Sequence, residues 1–195
     1  HMGFARALIA ALALSSSHVV LADNHGAAMK EHAARPTKQY KIEDFVETVG
    51  VFGASFNASE SRILFSSNKS GIWNVYSMPI GGGEWTQITK STTDNNDAVA
   101  YFPNDDRVLT TRDQGGNELN HIYVIGLDGK ETDLTPGDKH QANFLRFTQD
   151  GAFFYVSSNE RDPKYFDIYR YDSKTYQRTL FYTNTSGYEI GPISR

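Results

Sequence analysis

Hydrophobic residues along this chain gather into short runs, each bounded by Gly, Asn, Asp, Ser or Pro, and the runs come in sets that recur. One set holds Ile63-Leu64-Phe65-Ser66-Ser67-Asn68, then Asn74-Val75-Tyr76, then Trp85-Thr86-Gln87-Ile88-Thr89. A second holds Val108-Leu109-Thr110-Thr111-Arg112-Asp113, then His121-Ile122-Tyr123, then Glu131-Thr132-Asp133-Leu134-Thr135. The third holds Phe154-Tyr155-Val156-Ser157-Ser158-Asn159, then Asp167-Ile168-Tyr169, then Gln177-Arg178-Thr179-Leu180. Tyr76, Tyr123 and Tyr169 are spaced by 47 and 46 residues, and Ile88, Leu134 and Leu180 by 46 each. Phe56, Phe102 and Phe147 are spaced by 46 and 45, and a further 46 reaches the apolar Ile193. Three separate landmarks holding one period make an internal repeat.

Each repeat predicts four short strands. Between the first and second strands lie Asn57-Ala58-Ser59-Glu60, Pro103-Asn104-Asp105-Asp106 and Thr148-Gln149-Asp150-Gly151. Between the third and fourth lie Gly81-Gly82-Gly83, Asp128-Gly129 and Asp172-Ser173-Lys174. These are hairpin turns, because Gly, Asn and Asp tolerate positive φ and short polar side chains bond locally. Longer loops, 69–73, 114–120 and 160–166, are expected between the second and third strands, and no stretch between strands has the length and period of a helix.

Four antiparallel strands in a unit of about 40–50 residues describe a propeller blade. The fold class expected is therefore all-β: a partial β-propeller of three four-stranded antiparallel blades plus the first strand of a fourth. The blades are placed at about 52–97, 98–141 and 142–188, with the next beginning at 189–195. Runs that are apolar on both faces, such as Phe153-Phe154-Tyr155-Val156, suit sheets stacked on a neighbour at each side. Propellers close with about four to eight blades, so the chain is expected to be an incomplete propeller that continues past Arg195 in a longer protein. Ring closure by several copies of the chain is the rival explanation.

The N-terminus changes the picture of compartment. Arg6 precedes the apolar run Ala7–Leu14, and Val20-Leu21-Ala22 places small residues before Asp23. This is the layout of a secretory signal peptide over 1–22, with cleavage after Ala22 and export, to a bacterial periplasm or beyond the cell. His1 ahead of Met2 is not a natural start. Residues 23–40 lack apolar periodicity and read as a flexible linker before the propeller at 41–195. The run at 7–14 is too short to span a bilayer, so no membrane association is expected after cleavage.

Composition narrows the chemistry. There is no cysteine, which removes disulfides, thiolate metal sites and a Cys nucleophile. Net charge is −4 without a basic block, so no nucleic-acid partner is expected. No G-x-S-x-G is present; Gly53-Ala54-Ser55-Phe56-Asn57 departs at its last position. Gly81-Gly82-Gly83 is followed by neither Lys-Ser nor Lys-Thr, so it is no phosphate loop. His121 and His140 stand singly beside strand edges and have structural or solvated roles on this reading. Asp94-Asn95-Asn96-Asp97 is oxygen-rich but lacks calcium-loop spacing and reads as a polar link between blades. No catalytic, cofactor-binding or metal-binding residue is assigned, and no cofactor is expected. The distinctive segment Arg112–Tyr123 carries paired glycines with Asp113, Asn117 and Glu118. Bonding back to its own backbone is the leading role for these side chains, with a substrate- or domain-facing loop as the alternative.

The polar Asp/Gly turn, the run ending in Ser-Ser-Asn, the Ile-Tyr strand and the closing Leu-Thr resemble blades of TolB-like propellers. Asp113-Gln114-Gly115-Gly116-Asn117-Glu118 followed by His121-Ile122-Tyr123 resembles the propeller of exported serine peptidases of the prolyl oligopeptidase (S9) family. Lys41-Ile42-Glu43-Asp44-Phe45 is similar to the segment with which those propellers begin. The resemblance spans about 39–195. It implies a propeller that gates peptide access to an α/β-hydrolase domain following it in the same chain. The family's Ser-Asp-His triad lies in that domain, so none of its positions maps here. The implied partners are the hydrolase domain and peptide substrates. The alternative implied by the same blades is a periplasmic TolB-like scaffold that binds proteins and carries no enzyme.

Overall fold

A computed structural model describes residues 37–187, apart from Glu47, together with Gly191. The expected signal segment 1–22, the linker up to 36 and the start of a fourth blade lie outside the described residues, Gly191 excepted. The chain divides into two units, His1–Tyr40 and Lys41–Arg195. In the first, the Lys38 ammonium lies 4.8 Å from the centre of the Tyr40 ring.

The second unit opens with one short helical turn, α1 (Ile42–Val46), where the Asp44 carboxylate accepts the Lys41 N–H at 2.9 Å. Twelve strands follow among the described residues. β1 (Val51–Phe56), β2 (Arg62–Ser67), β3 (Asn74–Pro79) and β4 (Thr86–Gln87) form the first sheet in that order. β5 (Asp97–Tyr101), β6 (Val108–Arg112), β7 (His121–Ile125) and β8 (Glu131–Asp133) form the second. β9 (Ala142–Phe147), β10 (Phe153–Asp162), β11 (Tyr165–Asp172) and β12 (Arg178–Tyr182) form the third. Every pairing is between chain neighbours and antiparallel. These are three propeller blades, and the sheets are not closed into a barrel.

Strand alternation decides which side chain meets which blade. Leu64 and Val75 of the first blade pack with Tyr101, Val108 and Ile125 of the second. Leu109, Ile122 and Val124, on the opposite face of the second blade, pack with Phe154, Val156, Tyr169 and Tyr171 of the third. With a blade on each side, all five residues of β7 are buried. That is why His121–Ile125 reads as a continuous apolar run rather than an alternating one.

The antiparallel connectivity puts both kinds of hairpin turn at one end of the blades. The second-to-third-strand loops and the links between blades lie at the other. At the turn end, Asn57 Nδ2 donates to Asp106 at 2.9 Å, and Asn104 Nδ2 donates to the Asp150 carbonyl at 2.9 Å. Arg107 reaches from the second blade to the Ser173 carbonyl at 2.7 Å and the Tyr176 hydroxyl at 2.5 Å. Each seam is thus apolar in the middle and hydrogen-bonded at the rim.

The expected loop 160–166 is largely strand. β10 and β11 run on to pair Asp162 with Tyr165, leaving Pro163 and Lys164 as a tight turn after a register shift past Ser158. The Arg161 guanidinium holds Asp167 across this hairpin, with Nη2 to Oδ1 at 2.9 Å, and Asp162 accepts the Lys164 N–H at 3.0 Å. Those bonds satisfy the polar groups that make the segment look loop-like in sequence.

Candidate functional site

The loop end carries the densest polar chemistry, and its foundation is one repeated position. Asn74, His121 and Asp167 share one position near the start of the third strand of a blade, two residues before the repeated tyrosine, and each is at most 2% exposed. All three tie that strand to the chain leaving the fourth. Asn74 accepts from the Thr89 hydroxyl at 2.8 Å and the Ser91 N–H at 3.0 Å. His121 Nδ1 lies 2.8 Å from an Asp133 oxygen. Asp167 accepts the Asn184 N–H at 2.8 Å, and Arg161 in turn reaches the Asn184 carbonyl at 2.7 Å. Amide, imidazole and carboxylate solve one problem, the pairing of buried polar groups at a blade's exit.

The closing Ile-Thr and Leu-Thr pairs have a related purpose. The Thr89 hydroxyl accepts the Val75 N–H at 2.8 Å, and the Thr135 hydroxyl accepts the Ile122 N–H at 3.0 Å. In each case the threonine replaces a ladder bond where the fourth strand has already ended.

Above this foundation lies the segment singled out from sequence. Asp113 accepts the Glu118 N–H at 2.9 Å, and Asn117 accepts the N–H groups of Gln114 and Leu119 at 3.3 and 3.0 Å. Asp113 and Asn117 therefore fold the loop on itself, while Glu118 sits exposed at a φ of 61°. Asp94 of the link between the first two blades accepts the Gly115 N–H at 2.9 Å, docking the loop across to it. The oxygen-rich link is spent in the same way. Asn95 accepts the Trp73 N–H at 3.1 Å, and Asn96 donates to the Asp94 carbonyl at 3.1 Å. Burial, and then the neighbouring Asp113 charge, hold the Asp97 carboxyl above the usual range.

His121 and His140, 19 residues apart in sequence, meet in space. Their rings stack 5.4 Å apart at 9°, and His140 Nε2 donates to the Thr135 carbonyl at 3.1 Å. Gly137 makes the room, since a Cβ there would come within 2.3 Å of the His140 ring. No spacing in the sequence signals this pair. His121 and Asp133 are the two partners that a serine nucleophile would need, yet His121 is 2% exposed beneath the second ring. The pair is a structural latch, out of reach of a substrate. Among the described residues no three His, Cys, Asp or Glu side chains are grouped to hold a metal ion.

Two recesses open toward the turn end. One, of about 520 Å³, lies between the first two blades and is lined by Arg62, Ser77, Tyr101, Asp106 and Leu127. The other, of about 340 Å³, lies between the second and third and is lined by Asn104, Arg107, Asp150 and Lys174. Neither recess is lined by a histidine.

No protein-family model matches the chain. Its backbone is similar to a crystal structure of TolB from Acinetobacter baumannii, with a TM-score of 0.51 and 20% identity over 67% of this chain and 32% of that one. The fold is that of the TolB-like propellers. A prolyl endopeptidase structure shares the propeller fold at a TM-score of 0.55, with 11% identity over 69% of this chain and 22% of that one. In sequence, 117 residues of this TolB-like propeller are 30% identical to dipeptidyl aminopeptidase BIII of Pseudoxanthomonas mexicana. That match covers 58% of this chain and 17% of the peptidase, so the chain spans a minor part of its curated relative. Among the described residues no helix is long and apolar enough to cross a membrane.

Proposed function

We propose that this TolB-like propeller is the gating part of an exported serine peptidase of the prolyl oligopeptidase type, and that the chain alone hydrolyses nothing. The observation that carries the proposal is the 30% identity over 117 residues to a dipeptidyl aminopeptidase. Two sealed seams support it, because a wall of blades that excludes bulky substrate must not part under thermal motion. The latched His121–Asp133 pair supports the second half, since burial keeps that imidazole from reaching a substrate. Asp113, Asn117 and Glu118 stand at the loop end, and Glu118 is the side chain there free to face a hydrolase domain or a peptide. The signal-like pattern of 1–22 supports export.

The test is active-site labelling with a fluorophosphonate probe on the natural full-length protein and on this chain. The full-length protein is expected to react and to cleave short peptides while sparing folded ones. This chain is expected to stay unlabelled. A full-length protein that ends with its last blade and does not label would overturn the proposal in favour of a protein-binding scaffold. Terminal sequencing of the exported protein should start at Asp23.

A further inference from the structure

The two seams are built from matching positions and filled differently. Pairing with the first strand makes Val108 of β6 the counterpart of Phe154 in β10. Two residues past the repeated tyrosine, Ile125 of β7 corresponds to Tyr171 of β11. Between the second and third blades the Phe154 and Tyr171 rings stack at 5.1 Å and 14°, each at most 1% exposed. The Tyr171 hydroxyl crosses that seam and donates to the Leu134 carbonyl at 3.1 Å.

Between the first two blades neither ring is present. Val108 and Ile125 stand in their places, and the recess of about 520 Å³ lies there, lined by both and by Ile88 of the facing blade. Ile88 is the counterpart of Leu134. It donates its N–H to the Val75 carbonyl at 2.8 Å, as Leu134 does to the Ile122 carbonyl at 2.9 Å. The Leu134 carbonyl is spent on Tyr171, whereas the Ile88 carbonyl accepts no hydrogen bond from a described residue. The same wall carries Ser77 where the second blade has Val124.

We propose that this recess is a binding site for a phenol ring, which takes the place that Tyr171 fills in the next seam and donates its hydroxyl to the Ile88 carbonyl. Val108 and Ile125 supply an apolar floor, and the volume falls within the range of small-ligand sites. A hydroxyl entering such a place needs an acceptor, and the open carbonyl is one. Arg62 and Asp106 line the recess with opposite charges, which suits a neutral ring better than an anion or a cation. Two sources carry this chemistry: the tyrosine side chain of a peptide and a small free phenol. The site belongs to the first two blades alone and needs no hydrolase domain.

The experiment titrates p-cresol, the side chain of tyrosine, into the whole chain and follows methyl signals by NMR. Those of Ile88, Val108 and Ile125 should shift saturably, while those of Leu109 and Val124 in the filled seam stay in place. Toluene, which lacks the hydroxyl, should bind several-fold more weakly. Ile125→Tyr puts a phenol of the chain's own into the recess and should remove saturable p-cresol binding. A blocked Ala-Tyr-Ala peptide that shifts the same methyls assigns the site to a tyrosine side chain, and one that does not, where p-cresol does, assigns it to a free phenol. No saturable shift at Val108 and Ile125 would overturn the site, whether or not Ile125→Tyr folds. Unchanged p-cresol affinity in a folded Ile125→Tyr would overturn it too. Toluene binding as tightly as p-cresol would overturn the Ile88 carbonyl as the acceptor.

Discussion

Arg112 and Glu131 join β6 to β8 across Tyr123, with two bonds of 2.7 and 2.6 Å and the guanidinium carbon 3.9 Å from the ring centre. The next blade has the same clamp with its charges exchanged. Glu160 on β10 meets Arg178 on β12 at 2.8 Å, and the guanidinium lies 4.7 Å from the Tyr169 ring. Burial is the largest single influence on the Glu160 carboxyl and raises it. The bonds from Arg178 and Tyr169, together with the Arg178 and His140 charges, outweigh burial and hold that group below its usual range.

The exchange makes a direct prediction. Either Arg112→Glu or Glu131→Arg alone brings like charges together over Tyr123. It should cost about 1–2 kcal/mol, the pair being a quarter to a third exposed. The double exchange should recover most of that loss in urea unfolding, since the third blade already uses that order. A double variant as unstable as the sum of the singles would show that the two positions are not equivalent.

Thr135→Val should cost about 1–3 kcal/mol, because it leaves the buried Ile122 N–H without an acceptor. Thr135→Ser keeps the hydroxyl and should cost less. The comparison by thermal unfolding separates the hydrogen bond from the packing of the methyl group.

The Ile-Thr and Leu-Thr pairs were legible as a repeated motif, and the strand runs followed directly from apolar periodicity and turn residues. What the threonines do was not legible, because their partner N–H groups lie 13 or 14 residues back on β7 and β3. The latch position was hidden for a different reason: Asn74, His121 and Asp167 share burial and register but no chemistry. His121 and His140 were hidden because stacking is set by the bend of the link at Gly137. Equal spacing also hid unequal packing at the phenylalanines. Phe102 is 1% exposed among the rings of Phe147, Phe154 and Tyr176, while Phe56 is 55% exposed.

Asn117→Ala removes the acceptor of two backbone N–H groups and should loosen 113–119 without disturbing the blades. Amide hydrogen exchange at Gln114 and Leu119 should quicken about tenfold or more, with the unfolding midpoint nearly unchanged. Glu118→Gln should leave both quantities alone. Unaltered exchange in Asn117→Ala would mean that the loop is held by its contact with Asp94 instead.

Asp113→Asn should lower the titration midpoint of Asp97, read from its side-chain carboxyl carbon by NMR. Burial is the larger cause of the raised value and stays, so the midpoint should fall only part of the way. A carboxyl raised on folding disfavours the folded state above its folded pKa and ceases to do so as pH falls below the unfolded value. Asp113→Asn should therefore stabilise the chain slightly at pH 7 and hardly at all near pH 3.

Asp167 works in the opposite sense. The Arg161 bond lowers its pKa, burial opposes this, and the Asn184 N–H adds to the lowering. A carboxylate depressed on folding contributes stability in full above its unfolded value of 3.8, and that contribution is lost as pH falls from there through the folded pKa. The native chain should accordingly weaken below about pH 4, and Asp167→Asn should flatten that part of the pH profile. Arg161→Ala differs, because it strands a carboxylate of 0% exposure without its guanidinium partner. It should destabilise the chain at pH 7, and less under acid conditions where Asp167 takes up a proton. If Arg161→Ala were equally destabilising at pH 3 and pH 7, the guanidinium would be acting through its packing and its bond to the Asn184 carbonyl, with the ion pair contributing little.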